Sequence, residues 1–207
     1  MLKTGNEHIE SLNDGRTVYI GNEKVENVTT HPAFRNAAKT VASLYDVKHE
    51  QEFKDILSFE EDGERYSMWF LRARNREDLR KRSLAHKKIA DLSSGLFGRS
   101  PDHVASFVTG MSTSPSVFNS EKYKFGDNLL AYYQHMRKND IFATYAVLPP
   151  QAARNPEFYE KQNLPVPTLR VVREDDDGVV ISGMKMLATS AVFCNEIWIG
   201  NLLPLAP

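Results

Sequence analysis

Apolar residues recur at helical spacing through the first two thirds of the chain. After Pro32, which suits the first position of a helix, they follow every three or four residues over positions 34–45. A longer helix is predicted after Asn75, a capping residue followed by Glu77 and Asp78 in the first turn. Its expected buried face consists of Ala85, Ile89, Leu92 and Leu96.

Several shorter elements are predicted on either side of these helices. Residues 5–12 form a short helix, and residues 17–25 form a hairpin with a Gly-Asn turn. Ser100 is expected to cap another helix, with Pro101 at its first position and Asp102 near its positive end. The expected buried positions of this helix and of the next one are Val104, Phe107 and Val108, then Leu129, Tyr133 and Met136.

After residue 140 the pattern changes from helix to strand. Predicted strands and hairpins cover residues 141–148, 169–181 and 196–200. Residues 151–167 contain prolines and asparagines and are predicted to be loop. A sheet that begins here and lacks closing strands before Pro207 carries an open edge, so we expect the sequence to be a piece of something longer.

The composition is that of an ordinary globular protein. The 207 residues include 26 Lys and Arg against 27 Asp and Glu, and 41% are hydrophobic. This near-neutral balance disfavours nucleic acid as a partner. No apolar run reaches the roughly 20 residues of a membrane span, and no signal peptide is visible. The sequence therefore predicts a soluble, cytoplasmic protein that contacts neither nucleic acid nor membrane.

Few residues carry recognisable chemistry. The six histidines are scattered without metal-binding spacing, and Cys194 is the only cysteine, so no disulfide or multi-thiolate metal site is expected. Cys194 is predicted to be a buried, inert thiol. The basic run over residues 72–88 is predicted to be the solvated face of a helix. Nucleophile-elbow, Walker and Rossmann glycine patterns are absent from the sequence.

One pair of residues is more specific. Arg99 precedes the Ser100 helix start, and His103 follows four residues later. The guanidinium and the imidazole, one helical turn apart, are placed to face one anion near the helix N-terminus. In the alternative interpretation, Arg99 only pairs with a surface carboxylate. The residues alone leave both interpretations open.

Five segments together resemble the oxygenase component of the 4-hydroxyphenylacetate 3-monooxygenase family. They occur in family order over nearly the whole chain, and their combination is more specific than any one of them. The segments are residues 4–16, residues 30–34 (Thr-His-Pro-Ala-Phe), residues 98–105 (Gly-Arg-Ser-Pro-Asp-His-Val-Ala), Pro149-Pro150-Gln151 with Arg154, and residues 176–189.

The resemblance implies an α+β fold similar to that of acyl-CoA dehydrogenases. Residues 1–140 are expected to form an N-terminal helical domain with a small β-hairpin, and residues 141–207 the first part of a central β-barrel domain. The C-terminal helical bundle of the family is missing from this sequence. Family members are homo-oligomers, commonly tetramers, which receive reduced FAD from a separate flavin reductase. With O2 they hydroxylate a phenol ortho to its hydroxyl group. The protein orients the reactants and excludes water from the site.

The resemblance also assigns roles to individual residues. Arg99 matches the arginine that contacts the phenol oxygen, and a fixed cation there favours phenolate, which activates the ortho carbon. His103 occupies a position that is often tyrosine in the family. Tyr145 occupies a position that is usually histidine. The two residue types are thus exchanged, and the identity of the substrate is left open. Three further residues match the segments that line the flavin: Gln151, Arg154 and Thr189.

The resemblance leaves rival hypotheses. The chain is either part of an FAD-dependent aromatic hydroxylase or a truncated, inactive fragment that acts at most as a folding or oligomerisation module. An acyl-CoA-dehydrogenase-like oxidoreductase is a third possibility. The sister branch of 4-hydroxybutyryl-CoA dehydratases needs an iron–sulfur cluster, which a chain with only Cys194 cannot ligate through cysteines.

Overall fold

The computed structural model describes residues 2–176 and 178–200, and these form two compact units. Of the described residues, the first unit contains residues 2–144 together with Ser190–Glu196, and the second contains those of residues 145–189 and 197–200. The chain therefore leaves the first unit and returns to it for one short segment. No helix in the described part is long and apolar enough to cross a membrane.

The first unit is mainly helical. Its helices are α1 (Gly5–Ser11), α2 (Arg35–Asp46), α3 (Lys54–Leu57), α4 (Arg76–Leu92), α5 (Asp102–Met111) and α6 (Phe125–Asn139). Two antiparallel hairpins lie between them: β1 (Val18–Ile20) with β2 (Glu23–Val25), and β3 (Ser58–Glu61) with β4 (Glu64–Ser67).

The first helix and the first hairpin confirm the sequence predictions, whereas the start of α2 does not. Helix α1 begins with a reciprocal cap, in which the Thr4 hydroxyl accepts the Glu7 amide and the Glu7 carboxylate accepts the Thr4 amide at 2.7 Å. The predicted hairpin over residues 17–25 is present, with Val18 opposite Val25. Helix α2 starts later than predicted, at Arg35 rather than at Pro32, because the amides of residues 34 and 35 both donate to the His31 carbonyl and form a turn before the helix.

Helix α4 confirms the predicted cap but only half of the predicted buried face. The Asn75 side chain accepts the Asp78 amide at 2.9 Å, and Ala85 and Ile89 are buried. Leu92 and Leu96, in contrast, are 42% and 88% exposed, so their predicted burial is wrong. The reason is the helix end: residues 94 and 95 both have positive φ angles, and the Gly95 amide donates to the Ala90 carbonyl at 2.8 Å. The buried face of α4 therefore ends before residue 96.

The hairpin β3–β4 was not predicted. Its turn is Asp62-Gly63, in which both residues have positive φ angles, and Phe59 and Tyr66 pair across the strands with ring centroids 5.8 Å apart. The Asp-Gly dipeptide, between alternating aromatic and polar residues, was the available signal.

Helix α6 confirms its predicted face, since Leu129, Tyr133 and Met136 are buried. It ends at Asp140, which takes the left-handed conformation with a φ of 47°. The side chain of Asp140 is fully buried and accepts hydrogen bonds from Lys48 Nζ, from Ser67 Oγ at 2.5 Å and from the Lys3 amide at 3.1 Å. This buried ion pair joins the helical and strand segments of the first unit.

Aromatic rings surround the Lys48 ammonium group. Its nitrogen lies 4.0 Å from the ring centroid of Tyr45 and 4.4 Å from that of Trp69. Burial lowers the pKa of Lys48 to about 8, although the nearby Asp140 opposes this shift. The predicted burial of Cys194 is also confirmed, because it packs in a core cluster with Val41, Tyr45 and Phe142.

His8 is another fully buried polar side chain. Its ring stacks on Tyr45 at a centroid distance of 4.5 Å, and its Nε2 contacts the Phe193 carbonyl at 3.0 Å. Its Nδ1 is buried without a hydrogen-bond partner among the described residues. Burial, together with the charge of Lys3, lowers the pKa of His8 to about 3. The ring is therefore neutral at physiological pH.

The second unit contains mostly strands. Strand β5 (Ala143–Ala146) leads into it and pairs with the strand at Glu196–Ile199, which is β8. Strands β6 (Arg170–Asp175) and β7 (Gly178–Ser182) form an antiparallel hairpin, as predicted. Within residues 2–176 and 178–200 the strands form two-stranded sheets, so the expected barrel is not closed in this part of the chain.

The predicted loop over residues 151–167 contains helical structure. A 3₁₀ turn covers Gln151–Arg154, and helix α7 covers Pro156–Lys161. The Asn155 side chain accepts the Phe158 amide at 3.4 Å, and Pro156 takes the first helical position. The proline that indicated a loop therefore starts a helix.

Candidate functional site

The start of α5 differs from the prediction in how Ser100 is used. The Ser100 hydroxyl donates to the carboxylate of Asp102 rather than capping a backbone amide, and no side-chain cap is formed at Pro101. The His103 amide donates to the Ser100 carbonyl at 3.0 Å. Residues 99–103 thus form a tight turn that is held by its own polar groups.

Arg99 and His103 lie together on this turn. The Arg99 Nη1 is 3.2 Å from the His103 Nε2, so the guanidinium donates to a neutral imidazole. Partial burial lowers the pKa of His103, and the charge of Arg99 lowers it further. The two side chains are therefore adjacent, as expected for a shared anion, but in this structure they contact each other. The contact made by Arg99 is with an imidazole and not with a carboxylate.

Behind this pair, Asp102 links α5 to α4. Its carboxylate accepts a hydrogen bond from His86 Nδ1 as well as from Ser100, and Asp102 is only 8% exposed. Burial alone raises the pKa of a carboxyl group, but these two hydrogen bonds outweigh burial and lower the pKa of Asp102. The sequence analysis missed the pairing because His86 and Asp102 lie on different helices. The available signal was the position of His86, next to the buried Ala85 and three residues before Ile89.

The predicted solvated face over residues 72–88 is wrong for two arginines. Arg82 donates to the carbonyls of Trp69 at 3.1 Å and of Leu71 at 2.7 Å. Arg72 donates to Ser112 Oγ at 3.0 Å and lies 4.3 Å from the ring centroid of Tyr133. Both side chains anchor α4 and the segment before it, because they bind backbone carbonyls, a hydroxyl group and an aromatic face instead of solvent.

The remaining predicted site residues, Tyr145, Gln151, Arg154 and Thr189, belong to the second unit. Tyr145 lies on β5, and its ring lies so close to the backbone of Gly200 that a side chain at that position would overlap it. Gln151 and Arg154 are exposed on the 3₁₀ turn, and Thr189 is exposed as well. Of the three residues expected at the phenol, the structure thus places Arg99 and His103 in contact, whereas Tyr145 lies in the second unit.

Sequence analysis also missed Lys185 in the second unit. Its ammonium group donates to the carbonyls of Val147 at 3.0 Å and of Gly200 at 2.8 Å. Burial lowers the pKa of Lys185. The lysine ties three separate segments of this unit together, and its position inside the Gly-Met-Lys-Met-Leu-Ala-Thr segment was the available signal.

Comparison with known proteins places these residues in a family. The family described as "4-hydroxyphenylacetate 3-hydroxylase N terminal" matches residues 4–206. The chain is 37% identical, over 91% of its length, to the 4-hydroxyphenylacetate 3-monooxygenase oxygenase component of Thermus thermophilus. It is 33% identical, over 97% of its length, to the 2,4,6-trichlorophenol monooxygenase of Cupriavidus pinatubonensis.

A solved structure agrees with these sequence matches. The crystal structure of the oxygenase component of 4-hydroxyphenylacetate 3-monooxygenase complexed with FAD superposes with a TM-score of 0.85 at 35% identity, covering 98% of this chain and 42% of that one. The chain spans 38% and 40% of the lengths of the two curated relatives. Because the family match covers nearly the whole sequence, the chain belongs to the 4-hydroxyphenylacetate 3-hydroxylase family.

Proposed function

We propose that this chain is part of the oxygenase component of a two-component, flavin-dependent monooxygenase that hydroxylates a phenol ortho to its hydroxyl group. The contact between Arg99 and His103 at the start of α5 carries this proposal. The guanidinium supplies a fixed positive charge, and the imidazole Nε2 beside it is neutral. Relatives with matching sequence are named for 4-hydroxyphenylacetate and for 2,4,6-trichlorophenol, which both present a phenol oxygen.

The chemistry of the pair suits a phenolate. A phenol oxygen that replaces His103 as the partner of Arg99 is stabilised in its ionised form, because an opposite charge within hydrogen-bond distance lowers the pKa of an acid. The phenolate places electron density on the ring carbon next to the oxygen. His103, once released from Arg99, can carry its ring proton on Nε2 instead of Nδ1 and donate it to the same oxygen.

The second unit contains groups that fit a flavin nucleotide. Gln151 and Arg154 offer an amide and a guanidinium on one exposed turn, and Thr189 offers a hydroxyl. Such donors match the phosphates and the hydrogen-bonding ring edge of FAD. Reduced FAD, supplied by a separate reductase, brings the oxygen-activating chemistry when it is bound. The residues of this chain bind and orient the flavin and the phenol.

Replacing Arg99 by alanine tests this proposal in the full-length protein that carries this segment. With a flavin reductase, NADH and FAD, we expect kcat/KM for a phenol at pH 7 to fall about tenfold, the effect of losing one partly screened charge. The loss should shrink as the pH approaches about 10, where a phenol ionises without help. The matched control is Arg80→Ala, which removes an exposed arginine paired with Glu77 on α4. Unchanged kcat/KM in Arg99→Ala would remove the proposed role.

The alternative is that the 207 residues alone form an inactive fragment that serves folding or oligomerisation. The hairpin β6–β7 favours this alternative, because one of its faces carries three exposed apolar residues. Val171 and Ile181 are opposite each other, and Val179 lies two residues from Ile181 on the same face. All three are at least 46% exposed. Such a face is typical of an interaction surface.

We therefore expect the 207-residue chain, produced alone, to bind reduced FAD weakly and to form no hydroxylated phenol. The physical reason is that this chain spans about 40% of its relatives and leaves the β6–β7 face uncovered. Anaerobic calorimetry with reduced FAD measures the binding directly. Tight binding with one FAD per chain would contradict the expectation and would assign the complete flavin site to this chain.

A further inference from the structure

The turn that carries Arg99 is fastened to α4 through the carboxylate of Asp102. One carboxylate oxygen accepts the Ser100 hydroxyl and the other accepts His86 Nδ1. Since the His103 amide also donates to the Ser100 carbonyl, Arg99 and His103 lie at the two ends of a closed turn. We propose that Asp102 and His86 are positioning residues that hold the Arg99–His103 pair in place for the phenol oxygen. This inference rests on the proposed function.

The contacts of α4 support this role. Arg82, one turn before His86, donates to the carbonyls of Trp69 and Leu71, which precede the helix in sequence. The helix is thereby fixed to a buried segment, because Trp69 is only 3% exposed. A continuous set of hydrogen bonds then runs from this segment through Arg82, along α4 to His86, and on to Asp102.

Burial makes the link between His86 and Asp102 sensitive to the loss of a partner. The Asp102 side chain is 12% exposed, whereas that of His86 is 39% exposed. A buried carboxylate that loses one of two donors turns towards water or draws in another donor. Either response moves the Ser100 turn and, with it, Arg99. Removal of His86 therefore acts on Arg99 without touching it.

The titration of His103 reports the position of Arg99. The charged groups that face this ring are Arg99, which lowers its pKa, and Asp102, which raises it, and Phe107 meets the ring edge-on at 5.9 Å. His86→Leu removes the donor and leaves Asp102 charged. If Arg99 moves away, the pKa of His103 rises by roughly 0.7, the effect of one unit charge about 4 Å away in water-like surroundings.

The experiment follows the imidazole signals of His103 by NMR in the 207-residue chain between pH 4 and 9. We expect His86→Leu to raise the midpoint of His103. His86→Asn, whose amide nitrogen replaces Nδ1, should keep the midpoint of the unsubstituted chain. Asp91→Asn is the matched control, because it removes a carboxylate of α4 that pairs with Lys87 at the surface. An unchanged midpoint in folded His86→Leu would overturn the inference, as would a failure of His86→Asn to restore it.

Two additions keep the test decisive. If His86→Leu does not fold, Ser100→Ala removes only the hydroxyl donor to Asp102 and should raise the same midpoint, and no rise would overturn the inference. In the full-length protein, His86→Leu should lower kcat/KM for the phenol by up to the tenfold loss of Arg99→Ala, with His86→Asn restoring it. If the unsubstituted protein hydroxylates no phenol, the proposed function fails while the His103 titration still reports the link. If it does so and His86→Leu is fully active, only the positioning role fails.

Discussion

Replacing Asp140 by asparagine should lower the free energy of unfolding by about 3–5 kcal/mol, the cost of leaving a buried charge without its partner. Lys48, Asp140 and Ser67 are all buried, and the carboxylate accepts hydrogen bonds from both neighbours. Asparagine tolerates the left-handed backbone of residue 140, so this variant removes the charge without adding backbone strain. Urea unfolding followed by circular dichroism measures the change.

A double substitution separates the cost of the unpaired Lys48 charge from the other effects of Asp140→Asn on stability. In the Asp140→Asn background, Lys48→Met removes the ammonium group that has lost its partner, and a large part of the stability should return. The matched control is Asp55→Asn, which makes the same chemical change at an exposed residue paired with Arg65. A loss below about 1 kcal/mol in Asp140→Asn, equal to that expected of an exposed pair, would show that the buried pair is not a main source of stability.

Acid should destabilise the first unit through His8 before most carboxylates titrate. Burial holds the pKa of His8 at about 3, against about 6.5 for an unfolded histidine. Between these two values the unfolded chain binds one more proton than the folded chain. The contribution of His8 to stability is therefore fully present above pH 6.5 and is lost as the pH falls. The loss from this ring reaches roughly 2–3 kcal/mol between pH 7 and pH 4.5, at about 1.4 kcal/mol per pH unit.

His8→Gln isolates this contribution. The glutamine amide nitrogen replaces the Nε2 that contacts the Phe193 carbonyl, but the side chain does not titrate. The variant should therefore show a smaller decrease in the urea midpoint between pH 7 and pH 4.5. His49→Gln, at an exposed histidine, serves as the control and should keep the original pH dependence. Parallel curves for His8→Gln and the unsubstituted chain would contradict the assignment.

The sequence predicted the fold best where one local signal decided the element. Asn75 marked the start of α4, and the apolar spacing of Leu129, Tyr133 and Met136 marked the buried face of α6. Prediction was wrong where two local signals competed. Pro156 indicated a loop but starts α7, and the periodicity that reached Leu96 was cut by the positive φ angles of the residues before it.

The candidate site was predictable only as far as local spacing and family resemblance reach. Arg99 and His103 are four residues apart, so one helical turn brings them together. His86 and Asp102 are 16 residues apart on two helices, and their pairing depends on how the helices pack. The same holds for Lys48 and Asp140, 92 residues apart. The missed signal was a lysine that continued the helical spacing of Val41 and Tyr45 on a buried face.

The return of residues 190–196 to the first unit has a consequence during synthesis. Phe193 meets His8, and Asn195 meets Lys3 and Ser11, across more than 180 residues of chain. The first 144 residues are synthesised a few seconds before these partners, at a translation rate of about 5–20 residues per second. Until then the nascent helices lack their final contacts, so a chaperone that binds exposed apolar segments has a defined interval in which to act.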